Sequence, residues 1–109
     1  MRFSAFVRLT IAAAALTASS LATAAFPDKP IRIVIGFPAG GPLDQHARLL
    51  TDKLQAVLGQ PILVDYKSGA GGTVGAQEVM KAAPDGYTLM LANTGVMVIN
   101  PALYSKLPY

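Results

Sequence analysis

The stretch Ile31–Gly41, IRIVIGFPAGG, joins a run of β-branched apolar residues to a glycine-bearing turn. The almost continuous apolar character of Ile31–Phe37 is typical of a central strand in a parallel sheet, which is buried on both faces. Two more apolar runs, Ile62–Tyr66 and Tyr87–Ala92, also precede glycine-bearing turns. The pattern predicts an α/β fold with a parallel sheet, in which the turns gather at the carboxyl edge of the strands.

Two amphipathic helices and a short third helix are predicted between and after these strands. The first begins at Pro42 and ends before Gly59, with apolar side chains at spacings of three and four. The second covers Val74–Ala83, and a last helix begins at Pro101 with Asn100 as its N-cap. The predicted order is β-α-β-α-β-loop-α, and right-handed crossovers make the sheet parallel.

Residues 1–24 have the three parts of a secretory signal peptide. Arg2 and Arg8 form a basic start, Leu9–Leu21 is uncharged and apolar, and Ala22-Thr23-Ala24 is a small-residue cleavage site. Cleavage after Ala25 fits nearly as well, and an uncleaved membrane anchor is the alternative. The sequence therefore predicts export to the periplasm and a mature domain in residues 25–109.

Charge and residue usage argue against several classes of function. The nine Lys and Arg residues exceed the six acidic ones, but two of the nine lie in residues 1–24, so the net charge falls from +3 to +1 without the signal. This balance gives no support for nucleic-acid binding. Without cysteine there is no disulfide, thiolate nucleophile or lipid-bearing cysteine, and one histidine is too few for a metal set. We therefore expect no enzyme activity, no cofactor and no metal.

The first turn and the helix behind it predict an anion site. Gly40 and Gly41 let a ligand approach the backbone, and the helix start presents free N–H groups and a partial positive charge. A turn that needs glycine only for its geometry is the equal alternative. Asp44 is expected to complement the helix dipole; in a functional role it would fix the turn backbone or order a bridging water.

The second turn, from Gly69 to Gly75, does not have the spacing of a dinucleotide fingerprint. Val74 stands where that motif needs glycine, and Asn93 stands near the position of the acid that would bind a ribose. Anion binding without a nucleotide fits better, with Lys67 as a candidate extra charge or a solvated side chain. His46 is predicted to pack on the apolar helix face or at its edge rather than act as a catalytic base.

Several motifs at fixed spacing together resemble one family. These are FPDKPIRIV (26–34), FPAGGPLD (37–44), ARLL (47–50), LGQP (58–61), GAGG (69–72), AAPDGYTL (82–89) and INPALY (99–104). They resemble the substrate-binding proteins of tripartite tricarboxylate transporters, the Bug-type periplasmic receptors. The resemblance implies a two-lobed periplasmic binding protein that closes on a small carboxylate solute, delivers it to a membrane permease and performs no reaction.

The resemblance also implies a set of ligand-binding residues. In the family, backbone amides and ordered water hold most of the ligand carboxylates. They come from the three turns: Phe37, Pro38, Ala39, Gly40, Gly41, Asp44, Gly69, Ala70, Gly71, Gly72, Thr73, Asn93 and Thr94. Asn93 and Thr94 are equally compatible with simple loop chemistry. The sequence departs from the family in the segment Tyr66-Lys67-Ser68. Members commonly have Asn in place of Tyr66, Arg or Lys at the position of Lys67, and Pro in place of Ser68.

Family members are far longer than this chain. Residues 25–109 are therefore expected to be a partial first lobe, an N-terminal fragment without the second lobe and hinge. The alternative functions are a small exported interaction domain or a truncated receptor without function. A nucleotide-binding half of an enzyme is a further alternative, which the missing fingerprint disfavours.

Overall fold

The computed structural model describes residues 25–109, so the predicted signal peptide lies outside the described residues. The element order confirms the predicted β-α-β-α-β-loop-α fold. The elements are β1 (Ile31–Ile35), α1 (Pro42–Leu58), β2 (Ile62–Tyr66), a 3₁₀ turn (Ala70–Gly72), α2 (Thr73–Lys81), β3 (Thr88–Leu91), a π-helical turn (Gly95–Ile99) and α3 (Asn100–Leu103). None of the helices in residues 25–109 has the length and apolar character needed to cross a bilayer.

The three strands form one parallel sheet in the order β2-β1-β3. Strand β1 is central, and Ile31 pairs with Ile62 and Ile35 with Tyr66 along β2. The side chains of Val34 and Ile35 are fully buried. This explains the continuous apolar run of β1, because a central parallel strand has no face in water.

The two long helices pack on opposite faces of the sheet. On one face, Ile31 and Ile33 form a core with Ile62, and Leu54 and Leu58 of α1 pack against it. On the other face, Arg32 of β1 forms an ion pair with Glu78 of α2 at 3.2 Å. The connection from β1 to β2 through α1 therefore covers one face of the sheet, and the connection from β2 to β3 through α2 covers the other face. In an open α/β sheet, the crevice at such a change of direction is where ligands bind.

Three glycines bring β1, the 3₁₀ turn and α2 into backbone contact. A Cβ atom on Gly36 would lie 2.8 Å from both Cα and O of Gly72, and one on Gly75 would lie 2.8 Å from Cα of Gly36. Gly36 and Gly75 are both buried. Only a residue without a side chain allows main chains to approach this closely, so these glycines set how α2 packs on the sheet.

The structure corrects several predicted boundaries. β1 ends at Ile35, so Phe37 belongs to the turn, and β3 is shorter at both ends than Tyr87–Ala92. α2 ends at Lys81 rather than Ala83, because Ala82 is already extended at φ −71° and ψ 156° ahead of Pro84. Asn100 is helical and is not an N-cap, since the π-helical turn runs directly into α3.

Candidate functional site

A cavity of about 360 Å³ lies at the carboxyl edge of the sheet, beyond the ends of β1 and β3. Its walls come from the first glycine turn, from the first turns of α1 and from the residue behind β3. The lining residues are Phe37, Pro38, Ala39, Gly41, Pro42, Leu43, His46 and Asn93. Only His46 and Asn93 among them carry polar side chains, so the cavity combines an apolar wall with a few polar groups, as small-molecule sites do.

The amino end of α1 adds a positive potential to this cavity. Gly41 is its N-cap in an extended conformation, and no side chain caps the helix there. The first N–H groups of a helix have no intrahelical acceptor, and the helix dipole places partial positive charge at that end. The arrangement favours a carboxylate or phosphate beside the first turn of α1.

Asp44 lies behind the turn rather than in the cavity, and its carboxylate joins three segments. One oxygen accepts the Gly40 N–H at 2.7 Å, and the other accepts the Tyr66 hydroxyl at 2.5 Å. Arg48 Nε donates to both oxygens at 3.1 Å. Asp44 is only 3% exposed and is the one buried charged side chain among the described residues. Its hydrogen bond to Gly40 restrains the turn backbone, and it also lies in the first turn of the helix, while a role in ligand binding stays a prediction.

The same contacts control the ionisation of the two groups. The Tyr66 hydroxyl and then the Gly40 N–H lower the pKa of Asp44, and together with the Arg48 guanidinium they outweigh the opposing effect of burial. In return, the hydrogen bond to Asp44 and then burial raise the pKa of Tyr66. Asp44 is therefore an ionised acceptor and Tyr66 a neutral donor at neutral pH.

His46 is exposed and lines the cavity, so of the two predicted positions it has the one at the edge of the apolar face and not the packed one. Its Nδ1 donates to the Pro42 carbonyl oxygen at 2.6 Å, one helical turn earlier. The sequence pattern placed His46 on the apolar face because it follows Leu43 by three residues, but the start of α1 extends beyond the sheet edge, where that face borders the cavity.

The third turn contributes Asn93 to the cavity and Thr94 to the helix beside it. Asn93 Oδ1 accepts the Val96 N–H at 3.1 Å, so its amide side chain caps the π-helical turn while bordering the cavity. Thr94 is exposed at the start of that turn. The hydrogen bond to Val96 gives Asn93 a loop role, and its ligand role stays a prediction.

The second turn lies outside this cavity. Gly72 is buried, and a Cβ on it would lie 3.1 Å from the Phe37 ring, so the second turn supports the first from beneath. Gly69 and Gly71 are exposed beside it, while Ala70 and Thr73 border a separate groove that includes Lys106. Lys67 lies 3.7 Å from Asp65, so its charge is partly balanced. The structure brings the first and third turns together and keeps the second one behind them.

Five residues that the sequence did not assign to the site lie at it. Pro42, Leu43 and His46 line the cavity, and Arg48 and Tyr66 hold Asp44. The four-residue spacing of Asp44 and Arg48 on a helix was a usable signal for their ion pair. Tyr66 carried no such signal, because its contact depends on the register of β2 against β1. No cluster of potential metal ligands occurs in the part of the chain that the structure describes.

Comparison with known proteins gives consistent matches. Residues 46–109 match the family described as tripartite tricarboxylate transporter family receptor. The protein BugT of Bordetella pertussis is 37% identical over 109 residues, which cover 99% of this chain and 33% of BugT.

Two solved structures from Rhodopseudomonas palustris are also similar. MatC with bound malate is 44% identical with a TM-score of 0.73, and the match covers 77% of this chain and 29% of MatC. A second protein, solved with adipate, is 32% identical with a TM-score of 0.72, and the match covers 77% of this chain and 28% of that one. The chain thus spans between a quarter and a third of the length of curated relatives such as BugT. The family match covers more than half of the chain, and the chain belongs to the tripartite tricarboxylate transporter family receptors.

Proposed function

We propose that this chain forms part of the first lobe of a periplasmic receptor that captures a small carboxylate anion. The receptor passes the solute to the membrane permease of a tripartite tricarboxylate transporter and catalyses no reaction. Residues 1–24 direct export and are removed after Ala24 or Ala25. Residues 25–109 then supply one wall of the solute site, and a second lobe supplies the opposite wall.

The observation that carries this proposal is the position of the cavity. It opens where β1 and β3 end and the chain changes direction, and the amino end of α1 borders it. The helix end suits a carboxylate, while Phe37, Pro38 and Leu43 suit the carbon chain of a small organic acid. The malate and adipate in the two similar structures are molecules of this kind.

The proposed site residues divide by role. In this proposal Phe37, Pro38, Ala39, Gly41, His46 and Asn93 border the solute because they line the cavity. Thr94 is kept as a candidate contact from the third turn. Asp44 holds the turn through the Gly40 N–H, and Gly72 lies against the Phe37 ring from the second turn. Gly69, Ala70, Gly71 and Thr73 are kept as candidate ligand contacts.

The proposal is tested on the native protein that contains this sequence, released from the periplasm by osmotic shock. Its intact mass and amino terminus establish the mature chain, and titration calorimetry measures binding of malate and adipate, with glucose as an uncharged control. We expect one of the two acids to bind and glucose not to bind. A folded protein that binds no carboxylate in a wider panel of organic acids would refute the proposal.

A matched pair of variants locates the site. Gly41→Leu places a large side chain in the cavity at a residue with ordinary backbone angles, and we expect it to weaken binding at least about tenfold. Ala56→Leu makes the same kind of addition on an exposed position of α1 away from the cavity, and should leave affinity unchanged. Equal affinities in the two variants would place the solute elsewhere.

A further inference from the structure

We propose that Tyr66 is a positioning residue for the solute site. Through Asp44, its hydroxyl holds the turn Pro38–Gly41 in the conformation that shapes the cavity. The expected effect of Tyr66 on solute affinity rests on the proposed function. Its effect on the order of the turn does not, and exchange of the Gly40 amide tests it separately. It assigns a binding role to the end of β2, a strand that contributes no residue to the cavity lining.

The position of Tyr66 makes this role possible. Tyr66 is the last residue of β2 and pairs with Ile35, the last residue of β1, so it stands at the carboxyl edge. It lies on the sheet face that carries α1, and its hydroxyl reaches Asp44 in the first turn of that helix. The contact joins residues 22 positions apart and ties β2 to the start of α1.

The turn itself has few other restraints near Gly40. Gly40 is exposed with a φ of +88°, and nothing lies within 4 Å of where its Cβ would be. Its N–H donates to Asp44 at 2.7 Å. The carboxylate is itself oriented by Tyr66 and Arg48, but Arg48 is a largely exposed side chain, 70% accessible, on the same helix as Asp44. Tyr66 is therefore the donor that fixes Asp44 relative to the sheet.

Removal of the hydroxyl should loosen the turn without disturbing the core. Tyr66→Phe keeps the ring and takes one of three donors from the carboxylate. Hydrogen bonds to charged groups are among the stronger ones in proteins, so we expect affinity for the bound acid, malate or adipate, to fall about tenfold. The Gly40 amide should exchange with water several times faster, because Asp44 holds it less firmly.

Tyr87→Phe is the matched control. The Tyr87 hydroxyl also donates to an aspartate at 2.5 Å, to Asp28, but it stands before β3 at the opposite edge of the sheet. Each substitution removes a hydrogen bond from a tyrosine hydroxyl to an aspartate, and Tyr87→Phe also removes the acceptor of the Asp28 N–H. A general loss of stability would affect both variants alike, whereas a positioning role predicts weaker solute binding only for Tyr66→Phe.

A double-mutant cycle tests whether Tyr66 acts through Asp44. Asp44→Ala alone should weaken binding, and Tyr66→Phe should add little in that background, because the acceptor of its hydroxyl is gone. The pH profile gives a second readout. The titratable side chains that contact Asp44 are Tyr66 from β2 and Arg48 from α1. Loss of the Tyr66 donor should move the acid limb of solute binding to higher pH.

The outcomes separate the two proposals. Wild-type binding with unchanged affinity in Tyr66→Phe would overturn the role of Tyr66 and leave the receptor function intact. Additive effects of the two substitutions in the cycle would also overturn it. A wild-type protein that binds no acid would refute the receptor function. Hydrogen exchange of the Gly40 amide would then test Tyr66 alone, and an unchanged exchange rate in Tyr66→Phe would refute the positioning role as well.

Discussion

Gly36→Ala should destabilise the protein through a clash with the backbone of Gly72. The new Cβ would lie 2.8 Å from Cα and O of Gly72 and 3.2 Å from its carbonyl carbon. All three atoms belong to the main chain, so no side-chain rotation relieves the contact. Overpacking of this kind costs about 1–3 kcal/mol, and Gly→Ala returns about 0.4–1 kcal/mol by restricting the unfolded chain. We expect a net loss of about 1–2 kcal/mol.

Gly41→Ala is the control for this substitution. Its Cβ would meet only Pro38 O at 3.6 Å, an ordinary contact, and its φ of −80° suits any residue. The gain from restricting the unfolded chain and the loss of a favoured N-cap residue roughly offset, so stability should change by less than about 0.5 kcal/mol. Urea unfolding of the full protein measures the stability of both variants. A shift of the midpoint with an unchanged slope (m-value) reports a change in the free energy of unfolding. A Gly36→Ala variant as stable as Gly41→Ala would show that the close packing is not required.

Three more predictions concern the core and the buried carboxylate. Ile35→Ala truncates a fully buried side chain and should cost about 2–5 kcal/mol in urea unfolding. Gly72→Ala adds a Cβ 2.5 Å from Val96 Cγ2 at a φ of +90°, so its thermal midpoint should fall more than that of Gly41→Ala; an equal midpoint would contradict the contact. The lowered pKa of Asp44 stabilises the fold above the ordinary carboxyl pKa of 3.8, and this contribution is lost as pH falls through the lower folded value. Asp44→Asn should therefore resemble the wild type in acid and be less stable near neutral pH, as thermal unfolding across pH can show.

The order of elements was predictable because each one leaves a local pattern. The apolar run of β1, the helical spacing behind Pro42 and the glycine after α1 all act over a few residues. Gly59 has the left-handed conformation expected of a helix end, with φ 70° and its N–H bonded to Gln55 O. Right-handed crossovers then made the sheet parallel, and this prediction is confirmed.

The grouping of the turns was only partly predictable. Their location at the carboxyl edge followed from a parallel sheet, but their neighbours depend on strand order, which no local pattern encodes. With β1 between β2 and β3, Asn93 after β3 shares a cavity with Phe37, while Gly72 lies behind it. The contact between Tyr66 and Asp44 depends on register in the same way. Such contacts between distant parts of the chain appear only when the packing is known.

Two independent sets of contacts position the first turn, and they act from different sides. The Phe37 ring lies against Gly72, which rests on the glycine packing around Gly36. Asp44 holds Gly40 from the helix side and is fixed to β2 by Tyr66. If the turn borders the solute as proposed, contacts that order it in advance lower the entropy cost of binding. The glycine contact is packing of main chain on main chain, whereas the Asp44 contact is a hydrogen-bond network at the turn, so Gly36→Ala should change unfolding most and Tyr66→Phe should change the proposed solute binding most.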